Sequence, residues 1–448
     1  MSSGTPRVAH PAFWVPTSYL AEGIPFAMVI WVAGTMFKDL GHSDSEITVS
    51  TASVGIMWSL KPLYAGFLDM FKTKKFWILC MEFAMATLFG LLALALSLPN
   101  YFTVIILLLW VVAFASATQD ICVDGVYITT LDKPRQASWI GAQGAFWVTG
   151  RIFATALVVG IAGWLQKGGQ DPKTAWALAL LVSVATMAGL GIYHYFMLPT
   201  GSVPVRPESG SQLVRTFLDQ WIDFLRKPQI WMMLLFVFLY RSGEGFLLVE
   251  APLFMQGGLD TGGLGLCGTS GLTAQCPHML EDKALIDGFI STAASLIFGI
   301  AGGAFVSKFT LKRTIVVMAI CMNVPHLCFV YLSHAVSPEA PLSLTTIATL
   351  VTIAKAGYSF GFVANMLYMM QQISPGKYHM THYAFCTSLM NLVLIPTQMA
   401  SGPLADWLGY KAFFIFVGIA SIPSIIAAWT APFPNAVESS AGGGLAKH

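Results

Sequence analysis

Apolar residues occupy this chain in long blocks rather than on single faces. Four stretches lack Asp, Glu, Lys and Arg altogether: Phe83 to Gln119, Thr174 to Val205, Thr314 to Pro338 and Ala412 to Val437. The first is too long for one crossing, and Leu98-Pro99-Asn100 supplies the break. With its apolar flanks, each piece then reaches the ~20 residues that cross a hydrocarbon core. The pattern predicts twelve helices, near 12–38, 46–70, 76–98, 101–130, 137–166, 174–197, 229–256, 284–307, 314–334, 342–373, 380–408 and 411–432. The longest interior loop, Leu198 to Pro228, carries Pro199, Pro204, Pro207 and Ser209-Gly210-Ser211 before an amphipathic stretch, Phe217 to Leu225. It divides the chain into an N-terminal half, 1–197, the loop itself, 198–228, a C-terminal half, 229–432, and a tail, 433–448.

Composition agrees with that reading. Hydrophobic residues make up 56% and charged residues 10%, against roughly 25% charged in a soluble chain, and mean hydropathy is +0.68. The expected class is an all-α membrane protein. A net charge of +2 gives no ground for a nucleic-acid partner. Met1 to His10 is short and polar, and the apolar run after it continues as a full span, so a cleavable signal peptide is not expected.

With the N-terminus in the cytoplasm, inner loops collect Arg7, Lys72, Lys74, Lys75, Lys133, Arg135, Arg206, Arg215, Arg226, Lys227, Lys308, Lys312, Arg313, Lys377 and Lys447. Outer loops hold Lys38, Lys167, Lys173, Lys283 and Lys411. That bias predicts both termini on the cytoplasmic side. The halves also echo each other. Short basic loops follow the second span of each, Phe71 to Lys75 and Lys308 to Arg313. Gly160 to Leu165 ends span 5 much as Gly402 to Leu408 ends span 11. Two parallel repeats of six helices characterise the major facilitator architecture, with its site near midplane between the halves. Cys267 and Cys276 share an outer loop, 257–282, where an oxidising compartment would let them close a disulfide or leave two thiols.

Charge inside apolar spans marks candidate chemistry, because it is costly there and faces the bundle interior. Glu22, Lys61, Asp120, Asp124, Arg151, Arg241 and Glu244 are the candidates. Asp120 and Asp124, four apart, share one helix face. They suit a reversible proton carrier, or a clamp that Arg151 or Lys61 neutralises. Arg241 and Glu244, three apart, can pair within their own helix or meet a substrate. Glycines at 243 and 245 would loosen that helix, and Glu22-Gly23-Ile24-Pro25 sets an acid beside helix-weakening residues. Lys355 reads as an inward cation, His379 and His382 as solvated interfacial residues, and His194 and His326 as packing. There is no Walker loop or HExxH pair, so no metal, cofactor or enzymatic activity is expected.

These motifs in this order resemble the anhydromuropeptide permease (AmpG) branch of the major facilitator superfamily, over essentially the whole chain. The matching pieces are Glu22-Gly23-Ile24-Pro25, Ser59-Leu60-Lys61-Pro62-Leu63-Tyr64 with Leu68-Asp69, and Gln119-Asp120 with Asp124. Later come Leu239-Tyr240-Arg241 with Gly243-Glu244, Thr381-His382-Tyr383-Ala384, then Gly402 and Gly409-Tyr410-Lys411. Where that branch carries an arginine-rich loop after Asp69, this chain has Phe71 to Lys75. The span 4 motif is also similar to that of acetyl-coenzyme A transporters, and related permeases carry siderophores.

The resemblance implies proton-driven uptake of amphiphilic cell-wall fragments across a bacterial inner membrane. The expectation is a twelve-helix, monomeric secondary transporter, with protons and a small anionic solute as partners. Asp120, Asp124 and Glu22 are assigned to proton coupling, Arg151 and Lys61 as their charge partners, and Arg241, Glu244 and Lys355 to substrate. Asp69 is assigned to the cytoplasmic gating loop. The alternatives are a siderophore or acyl-coenzyme A transporter on the same scaffold, or a receptor that kept the fold without transport.

Overall fold

The computed structural model describes residues 9–70, 72–201, 210–269, 271–376 and 379–435. Part of the interdomain loop, 202–209, and the tail from 436 onward lie outside these residues, as does the side chain of Asp69. Twelve spans can be traced among the described residues. They are α1 (Pro11–Asp39), α2 (44–70), α3 (Lys74–Ala95), α4 (Tyr101–Thr130), α5 (133–167) and α6 (Pro172–Met197) in the first half. The second half has α7 (Ile230–Gln256), α8 (Leu280–Phe309), α9 (Leu311–Ala335), α10 (Leu344–Ile373), α11 (379–408) and α12 (410–430). A linker helix, Gly210–Leu225, joins the two.

Several spans depart from a plain apolar rod. In α2 the helix is assembled from Asp44–Val54, Ile56–Ser59 and Lys61–Met70, with Gly55 and Leu60 at the joints. Its start is fixed by a capping box, in which Ser43 N donates to Glu46 Oε2 at 3.1 Å and Glu46 N donates to Ser43 Oγ at 3.3 Å. The spans α11 and α12 form one apolar run, Thr381–Thr430, turned at Gly409, whose φ of 72° leaves the helical region. An internal repeat is visible in the backbone as well. The short basic loops after α2 and α8 each contain a left-handed non-glycine residue, Lys72 at φ 63° and Thr310 at φ 66°.

Each half packs its own core, around Ile24, Phe89 and Val112 in the first and Phe236, Met318 and Tyr368 in the second. The first core continues into the second half through Val249, Leu253, Leu280 and Ala284. Close contact between halves lies toward the end of the bundle away from the termini, here called the distal end. There α2 crosses α11, and α5 crosses α8. A Cβ at Gly402 would sit 2.2 Å from the Asp44 carbonyl oxygen, and one at Gly288 would sit 2.5 Å from that of Thr155. Only glycine admits such backbone proximity, the device by which small residues bring membrane helices together. Gln256 Nε2 donates to Thr35 O at 3.0 Å and Lys283 Nζ to Thr35 Oγ1 at 2.7 Å, tying α7 and α8 to α1. In the distal loop between α7 and α8, Cys267 and Cys276 are joined, with their Cα atoms 5.1 Å apart.

Three sequence expectations are corrected here. Lys283, assigned to an outer loop, is 3% exposed and belongs to the start of α8. His194 is no lone packing residue. Its Nδ1 lies 2.7 Å from Glu82 Oε1 and its Nε2 2.9 Å from Thr17 Oγ1, while Gln119 Nε2 donates to the same Glu82 oxygen at 2.9 Å. This knot, fully buried at Glu82, Gln119 and His194, joins α1, α3, α4 and α6. Glu82→Ala would strand His194 and Gln119 in an apolar interior, so a loss of about 3 kcal/mol is expected. Thermal unfolding of the purified protein in detergent reads it, and an unchanged midpoint would show that the knot is dispensable. Third, His382 is buried beneath the linker helix, 3.2 Å from Gln220 O, rather than solvated. The side chain of His379 lies outside the described residues.

Candidate functional site

Depth along the helices sorts the intramembrane charges. Counting ~1.5 Å per residue from the ends nearest the termini, Lys61 and Asp120 lie roughly 14–15 Å deep and Glu22 roughly 17 Å. By the same count Arg151 and Lys355 lie roughly 27 Å deep and Asp287 roughly 33 Å. Two clusters follow.

The first belongs to the N-terminal half. Lys61 of α2 forms an ion pair with Asp120 of α4, both partly accessible. One turn further on, Asp124 Oδ1 accepts a hydrogen bond of 2.8 Å from the Tyr19 hydroxyl of α1. Glu22, one turn from Tyr19, is buried within electrostatic reach of Asp124 and Lys61, and its Oε2 has no hydrogen-bond partner among the described residues. The carboxylates therefore gather as their spacing suggested, yet each is held differently. Asp120 pairs with a cation, Asp124 takes a phenol, and Glu22 is met by Lys61 through charge alone.

Arg151 is not with them, which corrects its assignment as a partner of Asp120 and Asp124. Its guanidinium lies over the Trp31 ring, with Cζ 4.1 Å from the centroid. That is a cation–π contact with a face of α1 nearer the distal end. Asp287 and Tyr358 of the other half are within its electrostatic reach, and its Nε is buried without a partner among the described residues. The depth difference explains the outcome, since roughly 12 Å along the membrane normal separates Arg151 from Asp120.

The second cluster therefore spans the two halves. Lys355 Nζ on α10 lies 3.4 Å from Asp287 Oδ1 on α8. Lys283, one turn before Asp287, adds a second cation. Arg241 and Glu244 pair through both guanidinium branches, Nε to Oε2 at 2.5 Å and Nη2 to Oε1. Arg241 also lies over Phe362, with Cζ 4.8 Å from the ring centroid. The Tyr358 hydroxyl reaches both members of the pair. The helix of α7 breaks where this pair sits, between Leu239 and Glu244. There Gly243 and Gly245 admit Ser421 and Thr397 against the backbone. Turns of π-helix flank the cluster at Met28–Val32, Phe153–Val158 and Ala284–Ile290, a local widening of the helix that recurs at functional positions.

Sequence reading missed Asp287 and Lys283, which stood at the edge of the predicted eighth span. Their i, i+4 spacing was the available signal. It also missed Glu82 and Glu250, each inside a predicted span. Asp69 sits on the last turn of α2, with its side chain outside the described residues.

Comparison with known proteins places this arrangement. The chain is 23% identical to a Rickettsia conorii protein named AmpG 4, over 91% of this chain and 92% of that one. It is 22% identical to the anhydromuropeptide permease of Escherichia coli K12, over 91% and 76% respectively. Its fold is like that of a bacterial homologue of the human lysosomal transporter Spinster, solved in an inward-facing, unoccupied conformation. That likeness has TM-score 0.70 and 14% identity over 95% of this chain and 98% of that one. The profile of the Major Facilitator Superfamily matches residues 17–381, and the chain is an integral membrane transporter, not an enzyme, that belongs to this superfamily.

Proposed function

We propose that the protein imports an anionic amphiphilic solute of the muropeptide class, coupled to protons, across a bacterial inner membrane. Both termini would lie in the cytoplasm. The observation that carries the reading is the imbalance of the inter-half cluster. Among the described residues Arg151, Lys283, Lys355 and Arg241 stand against Asp287 and Glu244, with Asp39 reaching Lys283 as a third acid, so four cations face three acids. Buried charge of one sign is costly until a counter-charge arrives, and a substrate anion between the halves would provide it. The carboxylate-rich cluster of the N-terminal half is the complementary part, with Asp120, Asp124 and Glu22 as proton carriers and Lys61 as the partner that Asp120 exchanges for a proton. Relatives named as an anhydromuropeptide permease and as AmpG support the cargo class. With the halves pressed together distally, the structure would represent the inward-facing state of an alternating-access cycle.

Arg241 gives both branches of its fork to Glu244, so within this reading it braces α7 while Arg151 grips the anion. Arginine binds a carboxylate through two parallel hydrogen bonds that lysine cannot reproduce. Arg151→Lys is therefore expected to weaken anion binding about 10-fold, equivalent to one such contact. Arg241→Lys should act mainly on stability.

The decisive experiment is uptake in proteoliposomes with a panel of competitors: anhydromuropeptides, siderophores, peptides and acyl-coenzyme A. Competition by anhydromuropeptides alone is the expected result. Siderophores or acyl-coenzyme A winning would move the cargo while keeping the anion site. Equal transport of a neutral solute would overturn the charge argument.

A further inference from the structure

A third group of charges lies at the distal end, apart from both clusters described above. Glu250 of α7 is fully buried, and among the described residues no N–H or O–H group donates to either of its carboxylate oxygens. What it meets is another carboxylate, Asp44, at the first turn of α2. Asp44 is well supplied as an anion. Lys38 Nζ of α1 lies 2.5 Å from its Oδ1, and the Tyr410 hydroxyl of α12 donates to its Oδ2. It also begins a helix, where negative charge is favoured. A third acid, Asp406 of α11, accepts from Ser45 N at 3.1 Å and from the Ser45 hydroxyl. His42 and Glu46 lie beyond, paired with each other at 3.4 Å.

The charges facing Glu250 are thus Asp44, Asp406 and Lys38, with Tyr410 neutral: two acids and one base already spoken for. An ionised carboxylate without donors is not sustained in such a place. A protonated one, giving its hydrogen to Asp44, is satisfied. Two acids in contact then share a proton as a pair rather than each holding its own.

We propose that Glu250 and Asp44 bind one proton between them, and that this proton locks the distal end shut. The bonds that hold the group together are those that join the halves: Tyr410 to Asp44, Ser45 to Asp406, and Gly402 N to Thr48 Oγ1 at 3.2 Å. Separation of α2 from α7 and α11 admits water to Glu250, and the proton leaves. Loss of the proton in turn places two adjacent carboxylates at the seam and drives it open. The site is a second proton-binding position, at the gate rather than on the Asp120–Asp124 face. It rests on the alternating-access reading given above.

The test is a distance measured across the distal end in the full-length protein. Spin labels go on the exposed loop positions Gln170 and Glu339, one in each half, with the free cysteines replaced and the distal disulfide kept. In wild type, the population with a short label distance should fall as pH rises. Glu250→Gln, fixed in the neutral form, should hold the short distance across the same range. Asp406→Asn removes a neighbouring negative charge, which makes loss of the proton easier. It should move the opening transition to lower pH, and it covers the case in which Glu250→Gln fails to fold. A pH response in Glu250→Gln equal to wild type overturns the proposal, as does an unresponsive wild type. Substrate uptake by the same unresponsive protein would show that alternating access survives without this lock.

Discussion

Replacing Asp120 and Asp124 together by asparagine is expected to abolish concentrative uptake and leave a folded protein. The fold survives because each amide keeps an acceptor oxygen. The amide oxygen introduced at position 124 can still take the Tyr19 hydroxyl, and Lys61 retains Glu22 within electrostatic reach. What disappears is the capacity of these two positions to take up and release a proton, with Glu22 alone unable to complete the path. One proton carried with each substrate down a pH gradient equivalent to ~100 mV is worth about 2.3 kcal/mol, or an accumulation of about 50-fold. The double variant should therefore equilibrate its substrate across the membrane without accumulating it. The measurement is uptake into proteoliposomes under an imposed pH gradient, beside counterflow without one. Uptake that still follows the gradient would remove both residues from the coupling path.

Span number and class were legible in the sequence because lipid exposure demands apolar blocks, and such blocks survive any detail of packing. The candidate carboxylates were legible for the same reason in reverse, since Glu22, Asp120 and Asp124 interrupt otherwise apolar runs. Partners were harder. Arg151 could be matched to Asp120 by sign alone, but helix rise already placed it roughly 12 Å away in depth. It meets Trp31 and the charges of the other half instead. Lys283 and Asp287 were obscured by their place at a helix end, where a shift of two or three residues turns a loop charge into a buried one. Glu82 and Glu250 lay inside predicted spans, yet nothing local shows that one meets a histidine 112 positions away and the other an aspartate on a different half. Pairings of that kind depend on which helix faces meet, and only tertiary packing decides that.

The glycine crossings lead to the second large effect. At Gly402 an added Cβ would lie 2.2 Å from the Asp44 carbonyl oxygen and 2.4 Å from Thr48 Oγ1. The nearer obstacle is backbone, which cannot rotate aside as a side chain can. A valine there is accommodated only if α11 withdraws from α2. Overpacking of a tight contact costs ~1–3 kcal/mol, and in a gate with two positions that cost falls on the closed one alone. A bias of that size shifts the populations roughly 5- to 150-fold. Gly402→Val is therefore expected to hold the distal end open, with long label distances between positions 170 and 339 at every pH. Net uptake should fall by more than about 10-fold, because the cycle cannot pass through its closed form. Solute should still bind from the distal side, which separates a blocked gate from a misfolded protein. The matching control is Gly189→Val on α6, where an added Cβ meets nothing within 4 Å and transport should be unchanged. A Gly402→Val protein that closes and transports like wild type would mean that the α2–α11 crossing is packing and not a gate.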